Sequence, residues 1–456
     1  MPYQTRFNPL SRQETKELVN LREQIGDKIK KFYNLKFKKD IIIPGVDLLE
    51  TAGKYIGEEE LIMGTNAVLD GWWTEGKYAD EFARQLTKYL GVRYCIFVNS
   101  GSSANLIAFA SLTSHILGKK RIHPADEVIT VAAAFPTTVN PIIQLGCTPV
   151  FVDIDRKTLN IDWSKLEKAI SARTKAIMIA HTQGNPFNLE KVVEFAKKHK
   201  LWLVEDCCDA LGAEYKGQKV GTFGDVATLS FYPAHQMTTG EGGAVLTNNP
   251  FIYRIAKSFR DWGRDCWCET GEDDACRRRF NWKFKNLPDG YDHKFVYSHL
   301  GYNLKFTDIQ AAIGLAQLKR IPQLIEARRR NYLLLRNKLV KFNKYFTFQE
   351  AEKNSVPSWF GFMLTLTKAC GFNVADIASY LNKKKIATRP LYCGNITLHP
   401  YFDNLICRVI GELKNTNYVM NHTFWIGIHP KLATKHIDYI TKCIEEYLMP
   451  KRARKS

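Results

Sequence analysis

Long apolar runs are missing from this 456-residue chain: none approaches the roughly 20 residues that a bilayer-spanning helix needs. The first stretch, "MPYQTRFNPLSRQETKELVN", has no apolar segment of the kind that ends in signal-peptide cleavage. These two absences predict a cytoplasmic protein without a membrane role. Internal repeats and low-complexity tracts are absent as well. No zinc-finger spacing or RNA-binding aromatic motif accompanies the basic runs, so the net charge of +19 is not assigned to nucleic acid. A basic surface of this kind suits phosphorylated substrates and acidic protein partners. Cysteine is not dense: eleven residues, an odd number, are scattered widely, which excludes a small disulfide scaffold. Cys95, Cys147, Cys370 and Cys443 read as reduced, buried small hydrophobes.

What is present is a globular composition, with 45% apolar and 12% aromatic residues. Short apolar runs alternate with helix-like stretches from residue 90 onward. The runs are 94–98, 127–132, 148–153, 175–181, 201–206, 225–231 and 243–248. Strand and helix in alternation predict an α/β protein with a mainly parallel seven-stranded sheet covered on both faces. Residues 1–45 are basic and helical in pattern, an N-terminal arm. Residues 46–320 are expected to form the large domain, and 321–456 a linker helix and a smaller C-terminal α+β domain. The linker pattern runs over 307–339. Residues 262–300, rich in Cys, Arg, Asp and Gly, interrupt the alternation as a long excursion, and such segments carry function.

Several polar residues fall at strand ends, where open α/β sheets bind ligands. "FVNSGSSANLIAF" reads as strand, turn and helix, so the backbone N–H groups of Gly101, Ser102 and Ser103 offer a phosphate seat; the competing reading is a plain helix cap. Asp206 ends "LWLVED" and is placed to hold a pyridine nitrogen protonated, which makes the ring an electron sink. Phe135 in "AAAFPTTVN" is placed to stack on such a ring, unless it is core. Ser230 ends "DVATLSF" and has a hydroxyl for the same phosphate. Asn303 precedes a helix, as a cap or a further phosphate ligand.

The order "NSGSSAN", "AFPTTVN", "LVEDCCDALG", "SFYPAHQMTTGEGG", "GYNLKFTDIQAAIGLAQL" resembles the DegT/DnrJ/EryC1/StrS sugar-nucleotide aminotransferases over roughly residues 45 to 450. The resemblance implies the aspartate-aminotransferase type I fold and a homodimer. It also implies that Gly101, Ser102, Ser103 and Ser230 take a cofactor phosphate, Phe135 stacks, Asp206 meets the ring nitrogen, and Asn303 reaches the phosphate from the other subunit. Two positions depart from the family. His235 stands where its aminotransferases carry the Schiff-base lysine, and Asp209 where many have Gln, so its contact to the ring hydroxyl is open.

Without that lysine the protein has no amine to tether pyridoxal phosphate. Pyridoxamine phosphate can still condense with a keto sugar, and an imidazole can remove a proton as general base. Position 235 therefore predicts dehydration rather than amination; the bland alternative is a dead site with a loop histidine. Within the family this pattern resembles two kinds of sugar-nucleotide 3-dehydratase, one without a metal cluster and one with an iron–sulfur cluster. Cys208, Cys266, Cys268 and Cys276 have the order C-x57-C-x-C-x7-C. Four thiolates can hold a 2Fe-2S cluster. This order resembles the cluster motif of the CDP-4-keto-6-deoxyglucose 3-dehydrases of 3,6-dideoxyhexose synthesis, with Cys207 as a rival for Cys208. Structural zinc or free thiols are the other readings. The resemblance further implies an NDP-hexose substrate (CDP favoured), a place in dideoxysugar and O-antigen synthesis, and electrons from an NAD(P)H-dependent iron–sulfur flavoprotein reductase. Arg389, in "KKIATRPLYCGNITLHPYF", is placed to hold a sugar-nucleotide phosphate, or is surface charge.

Overall fold

Continuous β-branched and aromatic runs, apolar on both faces, make strands that must be covered on both sides, and seven of them do so here. The computed structural model describes residues 15–38 and 41–452. The first fourteen residues of the basic arm and the last of the basic tail lie outside the described residues. The strands are β1 (Tyr94–Val98), β2 (Glu127–Val131), β3 (Thr148–Val152), β4 (Thr174–Ala180), β5 (Trp202–Asp206), β6 (Val226–Ser230) and β7 (Gly243–Thr247). All are buried along nearly their whole length.

The large sheet is eight-stranded, one more than the apolar runs predict. After β8 (Phe346–Phe348), β9 (Gly361–Leu366) and β10 (Thr388–Pro390), a two-residue strand β11 (Arg408–Val409) adds to its edge beside β3. A final strand β12 (Thr423–Gly427) follows. The order across the large sheet is β1-β7-β6-β5-β4-β2-β3-β11. Every pairing is parallel except the two made by β7, which runs against β1 and β6. A four-stranded antiparallel sheet, β8-β9-β12-β10, forms with a core of its own around Phe342, Phe362 and Ile426.

The helices that matter to the site are few. α1 (Lys16–Lys36) opens the described chain and buries none of its residues. α2 (Glu58–Leu69) and α3 (Lys77–Leu90) pack against the long α8 (Asp308–Leu339), while α4 (Gly101–Leu112), α5 (Pro136–Gln144), α6 (Leu189–Lys198) and α7 (Pro250–Arg260) flank the large sheet. Thr307 caps α8 in a capping box with Gln310. The excursion 262–300 is almost wholly irregular, with one short helical turn at His293–Phe295. A stem closes it: Asp261 pairs with Asn303 and Arg264 with Tyr297. Gly263 sits at φ +84° in that stem, and a Cβ there would lie 1.9 Å from the His299 carbonyl oxygen, so only glycine fits. Among the described residues, no helix is long and apolar enough to cross a membrane.

Candidate functional site

The C-terminal ends of β4, β5 and β6 and the N-terminus of α4 surround a cavity of about 840 Å³, closed on its far side by the small sheet. Nine of the residues singled out from the sequence line it: Gly101, Ser102, Phe135, Asp206, Cys208, Asp209, Ser230, His235 and Arg389. Asp206 is the last residue of β5 and is buried. Its Oδ2 accepts from Asn105 Nδ2 at 2.8 Å and from Thr138 Oγ1 at 2.7 Å, and its Oδ1 accepts from the Cys208 N–H at 3.1 Å. Asn105 is itself oriented by Thr228 Oγ1, which donates to its carbonyl oxygen at 2.7 Å. Three donors fix the orientation of the Asp206 carboxylate.

The α4 N-terminus lies against the end of β6. A Cβ on Gly101 would stand 2.5 Å from Ser230 Cβ and 3.1 Å from Cys208 Sγ, so no side chain fits there. Backbone N–H groups at that end and the Ser230 hydroxyl make the only type of surface a dianion needs: donors at the positive end of a helix. Ser103 does not line the cavity. Its hydroxyl donates to Asn99 Oδ1 at 2.6 Å and its N–H caps onto Ser100 Oγ at 3.0 Å. Phe135, 52% exposed, stands over the cavity edge-on to Tyr392.

His235 Nδ1 is 3.4 Å from Asp209 Oδ1, close but without hydrogen-bond geometry. Tyr392 donates to the other oxygen, Oδ2, at 2.6 Å. Burial pushes Asp209 up to about 7, against the hydrogen bond from Tyr392. Burial, with Arg328 nearby, pulls His235 down to about 3, so its ring is neutral at neutral pH. Arg328 is fully enclosed. It donates to the carbonyls of Ala234, His235 and Phe360, and so pins the 234–235 turn to the small sheet. Asn105, Thr138, Tyr392 and Arg328 are absent from the sequence expectations. Each acts on a singled-out residue across 68 to 183 positions of sequence or through backbone carbonyls, and no local pattern marks such a partner.

A second cavity, of about 370 Å³, opens beside the excursion. Cys266, Cys268 and Asn303 line it, with Trp262, Arg264 and Lys305. Asn303 therefore faces this cavity in its own subunit. Two of the thiols accept backbone N–H groups: Cys268 N–H points to Cys266 Sγ and Ala275 N–H to Cys268 Sγ, each at 3.4 Å. Burial pushes the Cys266 thiol up to about 11, with Cys268 and Cys276 close by. Among the described residues the set of potential metal ligands whose atoms all lie within 4.8 Å of one another is His181, Glu205 and Cys207, not this trio. Cys208 is not brought to it: it lines the first cavity, and burial beside Asp206 raises its thiol far above the ordinary range. Cys207 is wholly buried, facing neither cavity; it lies beside His181 and Glu205, which bond each other at 3.1 Å.

The sequence pattern of the DegT/DnrJ/EryC1/StrS aminotransferase family matches residues 54–445. The chain belongs to that family. It is 51% identical over 428 residues to the lipopolysaccharide biosynthesis protein RfbH of Salmonella typhimurium, covering 94% of this chain and 98% of that protein. It is 45% identical over 416 residues to the dTDP-4-dehydro-2,6-dideoxy-D-glucose 3-dehydratase of Saccharopolyspora spinosa, covering 91% and 90%. Among solved structures, an Escherichia coli GDP-4-keto-6-deoxy-D-mannose 3-dehydratase with bound hydrated PLP superposes with a TM-score of 0.78 at 28% identity, over 87% of this chain and 99% of the other. The family's fold, the aspartate-aminotransferase type I architecture with its mostly parallel large sheet, is the fold found here.

Proposed function

We propose that this chain is a pyridoxamine phosphate-dependent dehydratase that removes the C3 hydroxyl of a nucleotide-linked 4-keto-6-deoxyhexose. One observation carries the reading: a neutral, partly buried imidazole, His235, lines the same cavity as the Asp206 carboxylate, where the family's aminotransferases have lysine. The residues present fit the cofactor. Gly101, Ser102 and Ser230 would seat its phosphate, Phe135 would cover the ring face, and Asp206, fixed by three donors, would hold a proton on the ring nitrogen. Bound there, the cofactor supplies an amine for the sugar ketone and a ring that draws electrons from the adjacent carbon.

The chain's own residues do the rest. His235 takes the proton from that carbon through the free lone pair of its neutral ring. With Nδ1 toward Asp209, Nε2 is the nitrogen left for the proton. Tyr392 and Arg328 hold Asp209 and the 234–235 turn in place. Arg389, at the cavity wall, would bind the nucleotide's phosphates. The names of the relatives, two of them sugar-nucleotide 3-dehydratases and one a lipopolysaccharide biosynthesis protein, support this reaction class. We assign the finer identity to CDP-4-keto-6-deoxy-D-glucose as substrate, in 3,6-dideoxysugar and O-antigen synthesis, with a homodimer whose Asn303 crosses to the partner's phosphate site.

For the cysteines, the reading is a 2Fe-2S cluster on Cys208, Cys266, Cys268 and Cys276, supplied with electrons by an NAD(P)H-dependent flavoprotein reductase. The thiol spacing and the N–H groups aimed at two of the sulfurs support it. A second reading, a dehydratase without a cluster, draws on the placement of Cys208 in a different cavity from Cys266 and Cys268. Iron and acid-labile sulfide in anaerobically purified protein separate the two: two of each per chain support the cluster, none supports the alternative. The dehydration itself is tested by His235→Asn, which is expected to keep pyridoxamine phosphate binding and to lose C3–OH elimination by about 10²–10⁴-fold. Turnover equal to that of the unaltered protein would refute the assignment.

A further inference from the structure

One residue of the cavity wall has no task in the reaction proposed above. Gln183 follows the end of β4 and lines the cavity with Asp206, Asp209 and Tyr392. It is 1% exposed, yet its side-chain oxygen is buried with no hydrogen-bond partner, and its amide nitrogen donates to nothing among the described residues. A Cβ on Gly361, in β9, would stand 2.9 Å from Gln183 Oε1. The oxygen is thus turned to the small sheet, and Nε2 is the end left for the cavity. The backbone of Gln183 stands at φ +55°, the left-handed region that glutamine rarely adopts. It is held there from both sides. The Gln183 N–H donates to Tyr392 Oη at 3.1 Å, and its carbonyl accepts from the Phe360 N–H at 2.9 Å. Beside it, the Thr182 N–H donates to Asn160 Oδ1 at 3.0 Å and the Gly184 carbonyl accepts from the Ser358 N–H at 3.0 Å. A buried amide without partners and a left-handed backbone both cost stability, and residues over-determined in this way cluster at ligand sites.

What the amide would meet follows from the order of the strands. In pyridoxamine phosphate the ring nitrogen and the carbon bearing the aminomethyl group define an axis. The phosphate arm leaves on one side of that axis and the ring hydroxyl on the other. Across the large sheet β6, β5 and β4 are neighbours in that order. The proposed phosphate seat, Ser230 with the α4 N-terminus, lies at the end of β6, and Asp206 ends β5. A ring whose nitrogen is on Asp206 and whose arm reaches toward β6 presents its hydroxyl toward β4. There the chain continues into Gln183, three residues beyond Ala180, which pairs with Asp206. Asp209, another polar residue of that wall, has both oxygens turned to protein groups. Its Oδ2 accepts from Tyr392 at 2.6 Å, and its Oδ1 lies 3.4 Å from His235 Nδ1. The phosphate, the ring face and the ring nitrogen each have protein groups assigned above; the ring hydroxyl is the polar substituent still to be met.

We infer that Gln183 is a cofactor-binding residue whose amide N–H donates to the ring oxygen of pyridoxamine phosphate. This rests on the cofactor reading given above. The test is equilibrium dialysis of two compounds, pyridoxamine phosphate and its analogue with hydrogen in place of the ring hydroxyl. Both are measured against the unaltered protein and Gln183→Met, each freed of bound cofactor. Methionine keeps the length of the side chain and removes its N–H. Gln183→Met is expected to weaken pyridoxamine phosphate binding about tenfold, the effect of one buried hydrogen bond, and to leave the analogue's Kd unchanged. Equal weakening of both compounds would show that Gln183 only shapes the cavity wall. No weakening of either would show that it does not meet the ring oxygen. Each of these results overturns the inference while the cofactor reading stands. Should the unaltered protein bind neither compound, the cofactor reading falls and the inference with it. If Gln183→Met does not fold, Gln183→Glu, which keeps the shape and exchanges the amide nitrogen for oxygen, decides by the same comparison. Loss confined to pyridoxamine phosphate supports the contact, and equal loss or none refutes it.

Discussion

At position 235 two residues with opposite titration share one contact, and this has a consequence for stability. His235 is pulled from 6.5 to about 3 and Asp209 pushed from 3.8 to about 7, each mainly by burial. Stability rises with pH where the unfolded chain binds more protons. For His235 this holds between about 3 and 6.5: its contribution is whole above 6.5 and is lost as pH falls. For Asp209 the sign is reversed: its contribution is whole below 3.8 and is lost as pH rises toward 7. The two slopes oppose each other through mildly acidic pH. In His235→Asn only the Asp209 slope remains, so the variant's melting temperature, relative to the unaltered protein, is expected to fall steadily from pH 4 to 6.5. Thermal melts at half-unit steps check it; a constant difference would mean that the imidazole does not titrate below its ordinary range. A second expectation concerns Asp206. Asn105→Ala removes one of two side-chain donors to a buried carboxylate and is expected to weaken pyridoxamine phosphate retention by about 1.5–3 kcal/mol, read by equilibrium dialysis. Affinity equal to that of the unaltered protein would place the cofactor elsewhere.

Individual elements differ in how far the sequence announces them. The strands β1 to β7 fall within one residue of the apolar runs at each end, because a strand covered on both faces is apolar at every position and bounded by polar turns. α8 begins one residue into its sequence pattern, because Thr307 and Gln310 spell out its start. β11 could not be seen in the same way. It is two residues long, one of them Arg408, whose guanidinium meets Glu127 at 2.7 Å at the sheet edge; only the tertiary pairing with β3 makes it a strand. The site shows the same division. Residues at strand ends and glycine turns were legible, while Tyr392 and Thr138 were not, since a tyrosine or threonine in a chain of this size has no reason to stand out until the fold sets it against a carboxylate. At the end of α7 the fold builds a buried ion pair that no local pattern announces: Arg260 donates to both oxygens of Glu75, at 2.8 and 2.7 Å, and to the Phe97 carbonyl at 3.1 Å. It joins α7 to the end of β1 and to the turn before α3. Asp261 also accepts from Arg260, at 2.8 and 3.0 Å, so Glu75→Ala leaves the guanidinium one carboxylate and is expected to cost about 1.5–3 kcal/mol, measured by urea denaturation. A loss under 1 kcal/mol would show that Asp261 alone suffices.

For the molecule as a whole, the proposed dimer makes the clearest demand. Asn303 faces the excursion's cavity in its own subunit, so it meets a phosphate only if a second copy brings its cofactor site against that face. Asn303→Ala is expected to weaken cofactor retention while leaving iron content and dimer mass unchanged in sedimentation runs. Iron loss with intact cofactor binding would assign this residue to its own subunit's excursion instead.

The cleft between the two sheets is tied together by more than one strand of chain. Leu49 pairs with Ile386 beside the small sheet before the chain passes to α2 on the large one. α8 runs unbroken across both, its early residues in the large core and its late ones in the small. The chain then leaves β10, lays β11 along the edge of the large sheet, and returns as β12. A door hung on four straps does not swing. Opening the cleft widely would require bending a continuous helix and peeling β11 from β3 at once, so a sugar nucleotide has to thread in past side chains at the rim, Arg389 and Tyr232 among them. Turnover should therefore be insensitive to solvent viscosity, and amide exchange at Arg408–Val409 as slow in the empty protein as in the loaded one.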